Sequence, residues 1–518
     1  MIPGNLAAAD LLIVVVYFVG IVWLGTRFSD RQKSSAHYFL GSGKLPGWAV
    51  GVSMFATITS SWAFLALPAK AFASDLQYLM VVSAIPIAAW ISVRWIVPLF
   101  RERIRLSAYE YLEQRFGLGA RVYGNLAFLV VHFGKMAAIL YLLCLAIAGI
   151  TGWSIFVLIA IVGVSTVAYT IVGGIEGVVW TDVVQGFLLL IAGVTALGFV
   201  LFGGEAGAGT VLGAAWDAGK FKLVSTQFSW SGSSTVMLVF FGLNFYLQKY
   251  ISDQTVVQRY LLAPDTAKAG RALWISSLLL MGVWFLFMSV GALLWAYYEV
   301  GNGTVPSRIL AKPDSVFPYY IGHGMPAGLP GLILAGLLAA TMSTLASDLN
   351  SLSAVAYDDY YRRLRPRATD EDHLKFSRRV VLVAGLGGVA AAMAMTRIHS
   401  MADAAFDFVS LVGGGVLGMY LLGLLVPRCS SKALYAGLVV GVTFVLWATF
   451  CGPGKTALPW LPRFPLHTLW VGLLGNIVVF LCGWVCSYLW RAGTPARGDT
   501  SPGCTVGPAS RVSSHESK

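Results

Sequence analysis

The sequence predicts an all-α, polytopic membrane protein of about thirteen transmembrane helices. Three observations carry that expectation. Hydrophobic residues make up 57% of the 518 positions and charged residues only 12%, against about 25% charged in a soluble protein. Mean hydropathy is +0.74, too apolar for a chain that has to cover a water-facing surface. The apolar residues also fall into stretches close to the roughly 20 that a helix needs to cross the hydrocarbon core. The same numbers exclude disordered, collagen-like, disulfide-scaffold and soluble-enzyme classes.

The stretches can be taken in chain order. The first, 10–27, begins at Asp10 with no basic region ahead of it, so it reads as a retained helix rather than a signal peptide. The second and third, 47–67 and 77–100, are separated by a short loop carrying Lys70. A basic loop with Arg101, Arg103, Arg105, Arg115 and Arg121 precedes the fourth, 122–148. The fifth and sixth, 153–173 and 178–203, meet at the Gly173-Gly174 turn. Lys249, Arg259, Lys268 and Arg271 stand between the seventh, 234–251, and the eighth, 272–298. The ninth, 328–356, and the tenth, 378–396, bracket Arg362, Arg363, Arg365 and Arg367. The eleventh to thirteenth are 404–426, 432–451 and 467–490. The tail after 491, rich in Gly, Pro, Ser and Thr, reads as disordered.

With the N-terminus outside, these basic runs all fall in inner loops. The outer loops hold only scattered cations such as Lys220, Lys312 and Lys455. That bias obeys the positive-inside rule and predicts a multi-pass protein of the plasma (inner) membrane with a cytoplasmic C-terminus. It also accounts for the net charge of +12 without nucleic acid. The six cysteines stand singly, with no CxxC pair and no zinc-type Cys/His spacing.

Polar residues inside spans mark function, because lipid penalises them. The second span holds Thr57, Thr59, Ser60 and Ser61 at mid-membrane, where local unwinding would offer carbonyls and hydroxyls to a hard cation. The bland alternative is packing by small residues. On the ninth span Ser343 and Ser347 share a face, and the carbonyl of Ala340 can point the same way. Oxygen donors without soft ligands suit Na⁺. Asp182 opens the sixth span, as a helix-terminal carboxylate or as an ion ligand or relay reached from the ninth. Lys135 lies too deep to snorkel. It forms an internal ion pair or faces a cavity that receives an anionic or polyhydroxy solute. His132 beside it reads as a satisfied interhelical residue. Asp253 and Arg259, near the inner end of the seventh span, are placed for a gate salt bridge. Asp407 in the eleventh span has no explanation in the sequence. Glu176 belongs to the tight inner turn.

Further stretches make the sequence recognisable. They are His37-Tyr-Phe-Leu-Gly41, Leu45-Pro-Gly-Trp-Ala-Val-Gly-Val-Ser-Met-Phe-Ala56 and Ser107-Ala-Tyr-Glu-Tyr-Leu-Glu-Gln-Arg-Phe116. Tyr169-Thr-Ile-Val-Gly-Gly-Ile-Glu-Gly-Val-Val-Trp-Thr-Asp182, Asp253-Gln-Thr-Val-Val-Gln-Arg-Tyr260 and the 339–351 stretch join them. From about residue 8 to 490 the chain resembles the sodium:solute symporter family. Within that family it resembles the bacterial sialic acid symporters most, on Ser60-Ser61, Pro68-Ala-Lys-Ala71 and Ser74-Asp75.

The resemblance implies a leucine-transporter-like core of two inverted five-helix repeats, residues 47–203 and 204–426. An extra helix and inner loop (1–46) precede it, two helices (427–490) follow, and the tail (491–518) is cytoplasmic. It implies a principal sodium site on the carbonyls of Ala56, Thr59 and Ala340 and the hydroxyls of Ser343 and Thr344. A second sodium site maps onto Asp182, Ser343, Ala346 and Ser347, where Ala346 lacks the expected hydroxyl. The substrate positions hold Ser60, Tyr78 and Lys135. Lysine stands where the sialic acid transporters place an arginine, and Ile58, Ala63 and Val82 replace polar groups. The expected function is sodium-coupled import of a small organic solute: a sugar, sugar acid or small carboxylate. A transporter-like sensor with a separate signalling partner and a proton-coupled variant through Asp182 are the alternatives. A membrane-embedded enzyme finds no nucleophile–base pair or metal cluster in the spans.

Overall fold

The computed structural model describes residues 6–29, 32, 34–41, 43–230, 234–301, 303, 305–396, 415–452 and 461–490. The principal helices are α1 Ala8–Thr26, α2 Gly47–Ile58, α3 Ser61–Ala73 and the helical stretch α4 Gln77–Arg103. Then come α5 Leu118–Thr151, α6 Ile155–Phe202, α7 Thr235–Ser252, α8 Gln254–Leu262 and α9 Thr266–Glu299. The last are α10 Leu329–Val355, α11 Asp370–Met395, α12 Val416–Leu425, α13 Ser431–Phe450 and α14 Leu469–Leu489. No strand occurs among the described residues.

Nine described helices are long and apolar enough to cross a bilayer, and ten when α2 and α3 count as one broken span. The thirteen expected spans map onto these because α6 contains two of them, and because α7 and α12 are shorter or more polar. The eleventh expected span is described only from residue 415. Asp407 and the tail after 491 lie outside the described residues.

Three local breaks shape the bundle. Straight, the 48 residues of α6 would run about 72 Å, more than twice the membrane core. Gly174 divides it, at φ 55° and ψ −160°, a backbone region that glycine enters without penalty. Gly173 packs there against the Gly25 carbonyl, which a Cβ would meet at 2.3 Å. Between α2 and α3 the chain bends by 62°. Thr59 and Ser60 there are extended, and the Ser60 hydroxyl accepts from the Trp62 N–H. Between α7 and α8 a single extended residue, Asp253, caps α8 by accepting from the Thr255 N–H at 2.9 Å.

Large apolar side chains of α1, including Leu12, Val15, Val19 and Trp23, are exposed, as a lipid-facing surface requires. The centre of the molecule is α10, buried along almost its whole length. Its small residues let α6 approach closely; a Cβ on Gly336 would come within 2.4 Å of the Ala192 methyl. Asp10, at the start of α1, is 1% exposed. Its Oδ1 accepts from the N–H groups of Gly328 and Gly331 at 2.8 Å each, so one carboxylate satisfies the start of α10 and answers its positive end.

An ionic cluster ties the N-terminal end of α5 to the residues after α10. Arg121 donates to Asp358 and Asp359 and, at 2.7 Å, to Glu113. Arg363 and Arg121 together hold the Glu113 carboxyl below the usual carboxylate range.

Candidate functional site

The break after Ile58 interrupts the helical hydrogen-bond ladder, and the last carbonyls of α2 turn toward α10. There the Ser343 hydroxyl donates to the Ala56 carbonyl at 3.0 Å and lies 3.2 Å from the Ala340 carbonyl. The Thr344 hydroxyl reaches the Thr59 carbonyl at 3.1 Å and the Ala340 carbonyl at 3.1 Å. All five groups foreseen for a principal sodium site therefore converge. Each of the five residues is at most 3% exposed. Three carbonyl and two hydroxyl oxygens, with no nitrogen or sulfur among them, form a donor set suited to a hard cation.

Asp182 does not cap a helix. It lies two turns past the Gly174 break, fully buried, and faces inward. Its Oδ2 accepts from Ser53 at 2.7 Å and from Arg259 Nη2 at 2.8 Å. Arg259 Nη2 also donates to the Ser347 hydroxyl at 2.6 Å, and Ser347 lies 3.3 Å from Asp182. Asp182 and Ser347 are thus brought together, with a guanidinium bridging them. Ser343 turns to the other oxygen set.

The expected salt bridge between Asp253 and Arg259 is corrected here. Arg259 is committed to Asp182, while Asp253 pairs with Lys249 and with His132. Asp253 caps α8 and Arg259 lies six residues on, so the two side chains point about 120° apart around the helix and are turned away from each other.

Of the two readings of Lys135, the internal ion pair is realised: its Nζ lies 2.9 Å from Asp348 Oδ1. Its side chain keeps 24% exposure, whereas Asp348 is fully buried. His132 is the satisfied interhelical residue that the sequence suggested, joined to Asp348 at 2.8 Å. The three substrate positions do not bond to one another. Ser60 caps α3, and the Tyr78 ring receives the Lys70 ammonium at 5.3 Å from its centroid. Asp348 as the partner of Lys135 escaped the sequence reading, although its charge within a span was a signal.

The profile of the Sodium:solute symporter family matches residues 38–441. The chain is 33% identical over 490 residues to the sodium/sialic acid symporter NanT of Aliivibrio fischeri, covering 93% of each. It is 32% identical to the sodium/sialic acid symporter SiaT of Proteus mirabilis, covering 92% of this chain and 94% of that one. The solved substrate-bound, outward-open structure of a Na⁺-coupled sialic acid symporter superposes with a TM-score of 0.88 at 30% identity. That match covers 95% of this chain and 100% of the other. The solved relative shares the leucine-transporter-like helical fold, and the chain belongs to the sodium:solute symporter family.

Proposed function

We propose that this protein imports a small acidic organic solute with one sodium ion per cycle, by alternating access. The observation that carries the reading is the convergence of Ala56, Thr59, Ala340, Ser343 and Thr344 across the α2–α3 break. A sodium ion there replaces hydroxyl-to-carbonyl hydrogen bonds with ion–oxygen contacts. It would hold the broken span against α10 and so complete the outward-facing pocket. The solute binds beside Ser60, Tyr78 and Lys135. Two repeats, 47–203 and 204–426, then rock about the site and release both to the inside. One Na⁺ moving inward gains about 2.3 kcal/mol per 100 mV, and a singly charged anion moving with it loses as much, so the sodium concentration gradient supplies the drive.

Two departures narrow the cargo. The two bacterial relatives are named for sialic acid, a polyhydroxy acid. Here Ile58, Ala63 and Val82 offer no polar contact, and Lys135 lacks the bidentate fork of an arginine. A smaller acid with few hydroxyls fits that wall better. At the second cation position the Arg259 guanidinium already neutralises Asp182 and reaches Ser347, and Ala346 supplies no oxygen. One sodium ion is therefore the expected stoichiometry. The basic inner loops support a plasma-membrane orientation with the C-terminus in the cytoplasm.

The test is the melting temperature of the purified protein in NaCl against KCl, with a panel of sugar acids and small carboxylates. A ligand that binds only the folded state raises it by mass action. Sodium is expected to raise it and Ser343→Ala to abolish the shift. Identical melting in the two salts would sink the sodium site.

A further inference from the structure

His132 lies between two carboxylates from distant parts of the chain. Its Nδ1 is 2.8 Å from Asp348 Oδ1 on α10, and its Nε2 is 3.3 Å from Asp253 Oδ2 at the α7–α8 junction. All three side chains are buried. The Phe128 ring stands 4.1 Å away, centroid to centroid. The other charged groups around the bridge are Lys135, on Asp348, and Lys249, on Asp253. Tyr109 and Tyr260 also stand near Asp253, and as phenols they carry no charge.

A neutral imidazole has one N–H and one lone pair. Between two ionised carboxylates that lone pair would face an oxygen, acceptor against acceptor. The bridge therefore calls for one proton more than a neutral ring and two carboxylates supply. On the ring, that proton makes both nitrogens donors, and each carboxylate receives a charge-assisted hydrogen bond. The surroundings tolerate it. Lys135, Lys249, Asp253 and Asp348 sum to zero, so a protonated His132 leaves a single positive charge, spread over a cluster that already holds both signs.

We propose that His132 is a proton-binding site, and that its proton ties the α7–α8 junction to α5 and α10. Without the proton the ring can donate to only one of the two carboxylates, and the contact between the junction and the other two helices loses a strand of its support. The same proton gives the neighbourhood of Lys135 a net positive charge. The ligand is a hydrogen ion, and the site exists whatever solute or metal ion the protein carries.

The test uses the full-length protein in lipid vesicles with ¹⁵N-labelled histidine, examined by solid-state NMR at pH 7.5 in NaCl without solute. Exposed histidines are mostly neutral at that pH, since their proton is lost near 6.5. The expected spectrum contains one imidazolium, protonated on both nitrogens, that is missing in His132→Gln. In Asp348→Asn, which removes one of the two carboxylates, that signal moves to the neutral form. Should His132→Gln fail to fold, the Asp348→Asn spectrum carries the assignment, because among the described histidines only His132 faces that carboxylate. A neutral His132 in the unaltered protein at pH 7.5, or an imidazolium untouched by both Asp253→Asn and Asp348→Asn, overturns the proposal. Either result leaves the sodium site, tested by NaCl against KCl, standing on its own.

Discussion

Arg259 Nη2 lies 2.8 Å from Asp182 Oδ2, and neither side chain is exposed at all. The pair joins α8 to α6, with Ser53 of α2 and Ser347 of α10 hydrogen-bonded to it. Four helices therefore meet on one buried ion pair. Removing one partner of such a pair leaves an uncompensated charge, which costs about 3–5 kcal/mol. Asp182→Asn and Arg259→Met should each melt markedly lower, and the double variant should regain much of the loss. A thermal-melt double-mutant cycle measures that coupling; additive losses would show that the two charges do not depend on each other.

The guanidinium also bears on ion count. With Arg259 joining Asp182 to Ser347, sodium activation of uptake in vesicles should follow a Hill coefficient near one. Sodium flux should come to one ion per solute, and with a singly charged anion as cargo the cycle should carry no net charge. A coefficient near two would place a second ion beside Asp182 and contradict the reading.

Ser343 and Thr344 separate structure from ion binding. Each hydroxyl contributes one hydrogen bond across to the broken span, worth about 1 kcal/mol net. Without sodium, Ser343→Ala should melt only slightly lower. In sodium at a hundredfold above Kd, the unaltered protein gains about 2.7 kcal/mol that the variant lacks. Melting curves with and without NaCl read both effects.

Lys135 should govern the acidic solute. Lys135→Met removes a charge-assisted contact worth about 1.5–3 kcal/mol, so apparent affinity should fall roughly ten- to hundredfold. Lys135→Arg should retain or improve it, because the charge stays and a bidentate fork is gained. Competition binding with the solute found in the melting screen ranks the three proteins.

Two glycines hold helices at backbone contact. A Cβ on Gly242 would stand 1.9 Å from the Val81 carbonyl, and one on Gly291 2.1 Å from the Pro68 carbonyl. Backbone cannot step aside as a side chain can, so either alanine forces helices apart at about 1–3 kcal/mol or more. At Gly198 a Cβ would meet nothing within 4 Å. Gly198→Ala should be neutral or stabilising by up to about 1 kcal/mol. Expression yield and melting temperature distinguish the three.

Much of this protein was legible in its residues. Apolar run length set the helices, because a helix in lipid has to satisfy its backbone internally over the full thickness. The cluster Thr57, Thr59, Ser60 and Ser61 marked where the second span breaks, and Gly173-Gly174 marked the turn, because both are local chemistry. The principal oxygen set was readable for the same reason, since Ser343 and Thr344 lie on one stretch of helix and their family resemblance named the partners.

What the tertiary structure alone decided is which charges meet. Asp182, Arg259, Asp253, His132, Lys135 and Asp348 are all visible in the sequence as residues that lipid penalises. Their partners depend on how α5, α6, α8 and α10 are rotated against one another. A turn of a helix by one residue swings a side chain through about 100°, and only the packing of the whole bundle fixes that angle. So Arg259 went to Asp182 rather than to its near neighbour Asp253, and Asp253 was left to share His132 with Asp348.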